Sequence, residues 1–306
     1  MNVLSLFDGI SCARVALDRA GIKVNAYMSS EIDKNAIKVS EKNYPDIIRV
    51  GSVVNLEVEG QVDLLIGGSP CQDLSIAKKD RKGLGGDRSG LFWEYVRIMK
   101  ECKPQWFVLE NVASMPKADR DIITREMGVE PVMFNASLVS AQSRKRLFWT
   151  NIPFDLPEDR GILLKDILQP DGEVDERMVV KGGKSACIDA NYHKGSSVEH
   201  AIKKKVRTMV KVGHIGGSDA RANRVYDTDG KSATLSALGG GLGAKTGLYK
   251  SNDRIRKLTP IECERLQGLP DNYTEGIAMT NRYKCLGNAF NVDVVAHILG
   301  RVKLMY

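Results

Sequence analysis

Along the first 150 residues, short runs of apolar positions alternate with stretches whose apolar residues recur at helical spacing. The apolar runs Asn2 to Leu6, Val24 to Ser29, Ile47 to Val50, Leu64 to Ile66 and Trp106 to Leu109 predict strands. Val15 to Ala20, Lys34 to Asn43 and Leu91 to Cys102 predict the helices between them, and this alternation is the pattern of a doubly wound α/β sheet. Pro131 to Leu138 and Arg146 to Asn151, joined by a short polar stretch, predict an antiparallel hairpin at the sheet edge. After Pro153 the texture changes. Gly182-Gly183, Gly216-Gly217 and Gly239-Gly240-Gly241 interrupt polar and basic residues, which predicts a loop-rich second domain. Helical pattern returns at Thr259-Pro260-Ile261-Glu262, with Thr259 suited to the N-cap and Pro260 to the first helical position. An apolar helix, Val292 to Leu304, closes the chain and is expected to pack back on the first domain. The middle segment is then an insertion: residues 1–160 and 258–306 form one domain, and residues 161–257 the other.

Composition adds two constraints. A chain of 306 residues can bury the core of one large domain carrying a smaller one. No apolar run reaches the length of a membrane span, and Met1 to Leu6 lacks the basic region and cleavage site of a signal peptide, so a soluble intracellular protein is expected. Cys12, Cys71, Cys102, Cys187, Cys263 and Cys285 lie far apart, with no C-x-x-C pair and no His at ligand spacing, so neither disulfides nor a metal site is indicated. The formal net charge of +7 is confined to one place. Gly161 to Lys257 holds 18 Lys and Arg against 11 Asp and Glu, whereas the remaining residues hold 27 of each sign. A polyanionic partner for that segment explains the segregation, although a solvated basic face would produce the same count.

Five features carry chemistry. Leu4-Ser5-Leu6-Phe7-Asp8-Gly9-Ile10-Ser11 passes from strand through a glycine turn to a helix start, which brings backbone N–H groups close to a nucleotide-like ligand. Glu31 follows the second strand, where dinucleotide folds place a carboxylate on ribose hydroxyls. The fourth strand ends in Gly67-Gly68-Ser69-Pro70-Cys71-Gln72, placing a cysteine at the carboxyl edge of the sheet. Cys71 opens a polar, glycine-rich run with Lys78, Lys79, Arg81, Lys82 and Arg88, whose positive charges favour a thiolate. A free cysteine is more often a small inert core residue, but that reading suits an apolar element better than this run. Glu110 follows Phe107-Val108-Leu109 at the same edge, where a carboxylate is costly unless used or paired. In Gln142-Ser143-Arg144-Lys145-Arg146, an extended backbone would put Gln142, Arg144 and Arg146 on one face.

Phe7-Asp8-Gly9, Glu31, Pro70-Cys71-Gln72, Glu110-Asn111-Val112, Gln142-x-Arg144-x-Arg146, Arg265-Leu266-Gln267-Gly268 and Gly287-Asn288-Ala289 together resemble the ordered motif set of cytosine-C5 DNA methyltransferases. The resemblance spans nearly the whole chain outside the basic insertion, which falls where that family keeps its variable target-recognition domain. In its Phe7-Asp8-Gly9-Ile10-Ser11-Cys12 stretch, its Gln142 to Trp149 stretch and its closing motif, the catalytic half is similar to animal de novo methyltransferases. Two residues depart from the pattern: Ser11 replaces a glycine, and Ser52 stands where the family commonly has an Asp that contacts the adenine amino group.

The resemblance implies a Rossmann-like S-adenosylmethionine-dependent methyltransferase sheet with an inserted, loop-rich target-recognition domain. It implies a Cys71 thiolate that adds to cytosine C6, Glu110 on N3 and the exocyclic amine, and Arg144 and Arg146 holding the base carbonyl. S-adenosylmethionine would meet Phe7, Asp8, Gly9, Ile10, Ser11, Glu31, Ile32, Ser52, Val53, Gly68, Pro70, Leu91, Asn288 and Ala289. The target base must leave the duplex to be reached. Double-stranded DNA would be held by Ser75, Lys78, Lys79, Arg81 and Arg88 in the catalytic loop, and by Lys203, Arg207, Arg221, Arg224, Thr234 and Lys245 in the insertion. A monomer in a prokaryotic or phage-encoded setting, with a restriction endonuclease as companion, completes the expectation. A tRNA cytosine methyltransferase shares these catalytic motifs, but its subgroup carries a Cys-Phe-Thr element absent here. An inactive DNA-binding paralogue is opposed by the intact Cys71, Glu110 and Arg144. A nicotinamide-dependent oxidoreductase would account for the glycine turn and Glu31, yet leaves Pro70-Cys71-Gln72 unexplained.

Overall fold

The computed structural model describes residues 1–70, 89–174, 211–215, 223–237, 243, 245–251 and 254–302. The chain divides into two compact units: Met1–Asn135, Lys145–Leu156 and Val292–Tyr306 form one, and Ala136–Arg144 with Pro157–Asn291 the other.

In the first unit, β1 (Asn2–Leu6), β2 (Ala26–Ser30), β3 (Ile48–Gly51), β4 (Leu64–Gly67), β5 (Trp106–Val112), β6 (Val132–Asn135) and β7 (Lys145–Thr150) build a seven-stranded sheet in the order β3-β2-β1-β4-β5-β7-β6. The first five strands in that order run parallel, and β7 is antiparallel to both β5 and β6. The hairpin expected at the sheet edge is therefore present, with β6 outermost. Helices α1 (Cys12–Arg19), α2 (Lys34–Asn43), α3 (Phe92–Cys102) and α4 (Lys117–Met127) lie between strands in sequence, and α7 (Val292–Leu299) comes last.

The strand order reverses between β1 and β4, and the loops leaving these two strands therefore diverge and open a crevice at their carboxyl ends. Leu6 is registered against Gly67 there. A Cβ on Gly67 would meet the Leu6 carbonyl oxygen at 2.8 Å and the Tyr95 ring at 3.2 Å, so only glycine fits. Around this centre, Leu4, Leu6, Leu65, Phe92, Tyr95, Ile98, Leu109, Ile123, Met127 and Trp149 form a buried cluster. Each such side chain stabilises the fold by about 1.5–3 kcal/mol. The buried Trp149 donates its indole N–H to Thr124 Oγ1 at 3.0 Å, which satisfies its one polar atom. α7 packs on α1, and the Arg19–Asp293 ion pair at 2.8 Å joins them. Among the described residues no helix is long and apolar enough to cross a membrane.

Two helices went unread in the sequence. α4 buries only Ile123 and Met127, a stripe too thin to register as amphipathic, and is bounded instead by Pro116 and a left-handed Gly128. The other is α6 (Met279–Asn288) in the second unit, where only Cys285, Leu286 and Gly287 are buried. That unit also holds a four-stranded sheet of β8 (Lys211–His214), β9 (Arg224–Asp227), β10 (Leu248–Ser251) and β11 (Arg254–Arg256), strands too short to show an alternating pattern.

The cap expected at Thr259 is present. Thr259 Oγ1 accepts from the Glu262 N–H at 3.2 Å, and Glu262 Oε2 accepts from the Thr259 N–H at 2.8 Å, opening α5 (Pro260–Leu266). Glu262 is fully buried, and its two oxygens also accept from Arg256 Nη1 and Nη2 at 2.8 Å each and from the Gln169 N–H at 2.9 Å. Removing the guanidinium would leave a buried charge without its counter-ion. Arg256→Met is expected to destabilise the protein by about 3–5 kcal/mol, and Arg256→Met with Glu262→Met to recover part of that loss. Urea denaturation midpoints measure both, and an unchanged midpoint in the single variant would contradict this account.

Candidate active site

Polar groups gather at the carboxyl ends of the parallel strands. The turn after β1 is unusual in its backbone: Phe7, Gly9 and Ser11 adopt left-handed φ values of 56°, 60° and 60°. It is pinned by the Asp8 N–H on the Ser30 carbonyl and by the Ser11 N–H on the Asp8 carbonyl, both at 3.1 Å. Asp8, expected to meet a cofactor, turns its side chain inward. Its Oδ1 accepts from Ser5 Oγ and Tyr27 OH at 2.6 Å each, and its Oδ2 from Ser11 Oγ at 2.6 Å and Ser29 Oγ at 2.8 Å. All of a carboxylate's lone-pair directions are thereby used, and contact with a ligand would fall to the Asp8 backbone. Ile10 is buried.

Glu31, just beyond β2, accepts from the Gly9 N–H through Oε2 and from the Ile32 and Asp33 N–H groups through Oε1, all at 2.8 Å. One acceptor direction on Oε2 remains for a hydroxyl. Beside it Ile32 is 73% exposed, an apolar side chain standing clear of the fold where a flat base could lie. This combination fits a nucleoside. After β3, Val53 is buried, whereas Ser52 is exposed and accepts from the Val54 N–H at 3.2 Å. Arg97 of α3 donates to the Val53 and Leu56 carbonyls at 3.3 and 3.1 Å, which holds this loop in place. Leu91 immediately precedes α3, and Gly68 and Pro70 follow β4; all three are half-buried.

Cys71 lies outside the described residues, as do Ser75, Lys78, Lys79, Arg81, Arg88, Lys203, Arg207 and Arg221. The strand and loop that deliver Cys71 are described. Asn111 of β5, buried, donates from Nδ2 to Ser69 Oγ at 3.0 Å and accepts from the Val112 N–H at 2.8 Å, fixing the chain two residues before Cys71. Asn111 belongs to the Glu110-Asn111-Val112 motif, but nothing in the sequence gives it a role of its own beyond its place beside Glu110 at a strand end. Glu110 points from the same strand end to Arg146 on β7, Oε1 to Nε at 2.7 Å, with 13% and 15% of the two side chains exposed. They are brought together because β5 and β7 pair with Glu110 opposite Phe148 and Val112 opposite Arg146. Burial pushes the Cys102 and Cys263 thiols up, and the Glu262 and Glu264 carboxylates add to the effect on Cys263, so neither is a source of thiolate.

In the second unit, Arg144 departs from expectation. Its buried guanidinium donates to the Gly287 carbonyl at 3.3 and 3.4 Å and to the Ala289 carbonyl at 2.9 Å, at the C-terminal end of α6. Cationic donors are favoured there by the helix dipole and the unpaired carbonyls. Arg144 thus braces Asn288 and Ala289, and Gln267 assists by donating to the Leu286 carbonyl at 2.6 Å. Gln142 is likewise buried, in an isolated bridge to Ser232. Thr234, expected at DNA, donates its hydroxyl to the Ser143 carbonyl at 2.5 Å. Arg224 and Lys245 are half-buried.

A family model for C-5 cytosine-specific DNA methylase matches residues 1–304. The Type II methyltransferase M.HhaI of Haemophilus parahaemolyticus is 32% identical over 97% of this chain and 93% of its own. The orphan methyltransferase M.Rho11sI of Bacillus phage rho11s is 30% identical over 83% of this chain and 61% of its own. The solved structure of the Entamoeba histolytica methyltransferase EhMeth superposes with a TM-score of 0.71 over 100% of this chain and 99% of that one, at 16% identity, a likeness of fold.

The left-handed Ser11 yields a local test. Both Ser11→Ala and Ser11→Gly lose the hydroxyl bonded to Asp8, but only glycine adopts φ 60° without penalty. Ser11→Ala should therefore be the less stable of the two by about 1–2 kcal/mol in thermal or urea denaturation. Equal midpoints would refute a strained turn.

Proposed function

Because the chain belongs to the C-5 cytosine-specific DNA methylase family, we propose that it methylates C5 of a flipped-out cytosine in one short sequence of double-stranded DNA, through a covalent Cys71 adduct. The observation that carries this reading is the Glu110–Arg146 pair at the end of β5, one residue from the Asn111 that fixes the approach to Cys71. Cytosine C5 is a weak nucleophile inside an aromatic ring, and covalent addition removes that aromaticity. The Cys71 thiolate adds to C6 while Glu110 holds N3 and the exocyclic amine, so electron density accumulates at C5. Arg146 keeps the Glu110 carboxylate oriented and faces the base carbonyl. S-adenosylmethionine, for which Glu31, Ile32 and the Phe7–Ser11 turn provide fitting groups, supplies the electrophilic methyl group that C5 receives. Loss of the C5 proton to water and expulsion of Cys71 restore the ring and the thiolate, and the donor would leave as S-adenosylhomocysteine.

The segment 161–257, with its surplus of positive charge, is the target-recognition part, and Arg224 and Lys245 are its described candidates for DNA contact. Arg144 serves this reaction by bracing Asn288 and Ala289 and does not itself hold the base. A monomer acting in a bacterial or phage cell beside a restriction endonuclease fits the Type II relative.

Expression in a methylation-free host followed by single-base detection of 5-methylcytosine should show methylation in one short context. Cys71→Ser should give none, and Glu110→Gln should slow transfer by about 10²–10⁴-fold. Unmodified DNA alongside methylated tRNA would overturn the choice of substrate, and a fully active Cys71→Ser would overturn the covalent route.

A further inference from the structure

The hydroxyls around Asp8 form a directed network. Each serine or tyrosine hydroxyl has one proton to give. Ser11 and Ser29 give theirs to Asp8 Oδ2, so each must accept from its other neighbour. For Ser29 that neighbour is Arg49 Nη1 at 3.3 Å. For Ser11 it is the Oγ of Ser40, in direct contact, and Ser40 accepts in turn from Arg49 Nη2 at 2.8 Å. The direction of every bond is thereby fixed. Two wires run from the guanidinium to the carboxylate, one through Ser29 and the other through Ser40 and Ser11, while Ser5 and Tyr27 occupy Oδ1. Ser5, Ser11, Ser29 and Ser40 are fully buried, and Tyr27 nearly so. Arg49 on β3 and Asp8 after β1 are thus joined across β2 without touching.

We infer that this hydroxyl-relayed ion pair is the device that shapes the methyl-donor seat, and that Tyr27, Ser29, Ser40 and Arg49 are positioning residues for the donor. The inference rests on reading the Phe7–Ser11 turn as that seat. The turn asks Phe7 and Ser11 to adopt a conformation that L-residues avoid, a backbone cost that other interactions of the turn must offset. Asp8 sits between Phe7 and Gly9 and is tied to the strand before it (Ser5), the helix start after it (Ser11) and the neighbouring strand (Tyr27, Ser29). Bonds in such chains polarise one another, so loss of one donor loosens the rest. The relay also accounts for a serine at a left-handed position: its hydroxyl's bond to Asp8 offsets the backbone cost.

The test compares wild type with Tyr27→Phe, Arg49→Lys and Arg49→Met. S-adenosylhomocysteine binding is measured by calorimetry, stability by urea denaturation, and kinetics with DNA from a methylation-free host. Tyr27→Phe keeps the buried ring and removes one proton donor; Arg49→Lys keeps the charge but reaches only one serine. The dissociation constant should rise about 5–10-fold in Tyr27→Phe and Arg49→Met, equivalent to about 1–1.4 kcal/mol. KM for the donor should rise in step, with kcat at saturating donor and KM for DNA within about twofold. Arg49→Lys should fall between wild type and Arg49→Met. Variants that lose stability yet bind S-adenosylhomocysteine as wild type does would show the network to be purely structural and overturn the inference. Wild-type protein unable to bind S-adenosylhomocysteine would instead overturn the reading of the turn as a donor seat.

Discussion

The close passage of β1 and β4 at Gly67 is the constraint on which the first unit depends. Parallel strands need crossovers, and where their direction of winding reverses, the loops part and leave a crevice with nothing to fill it. Everything of chemical interest in this unit lies at that end of the sheet: the left-handed turn after β1, Glu31 after β2, Val53 after β3, the Gly68 to Pro70 approach after β4 and Glu110 at the end of β5. Behind them lies a largely apolar core, so buried polar groups here must find their partners among themselves or in a ligand.

Three carboxylates show how differently such groups are provided for. Asp8 receives only hydroxyls and meets its positive charge at one remove, an arrangement that fixes geometry without a direct ion pair. Glu110 meets its guanidinium directly, and both side chains stay partly exposed, which suits the contact with a base proposed for it. Glu262 is closed off completely by one arginine and two backbone N–H groups and can only hold the fold together. Charge, partner number and exposure together distinguish the three environments.

Much of the first unit was legible because its signals are local. Buried parallel strands read as continuous apolar runs, and the chain returns to this unit with an apolar helix; in the second unit Thr259 caps its helix as its residue type predicts. α4 and α6 were not legible because each buries only two side chains, Ile123 and Met127 in one and Cys285 and Leu286 in the other. The second unit's strands are three or four residues long, too short for an alternation to repeat.

The sequence alone determined the order of most elements of the first unit, the location of the positive charge and the residue types that a methyl-transfer site needs, since these depend on periodicity, composition and motif. Tertiary structure decided what each polar side chain does. Asp8 and Glu31 stand at comparable strand ends, yet one is turned inward by four hydroxyls and the other keeps a free acceptor direction. Arg144 and Arg146 are two residues apart, yet one braces the end of a helix and the other holds Glu110. The reason is that a side chain's partner is set by which strands and helices the sheet brings beside it, over separations of twenty to more than a hundred residues, and no local pattern encodes that distance.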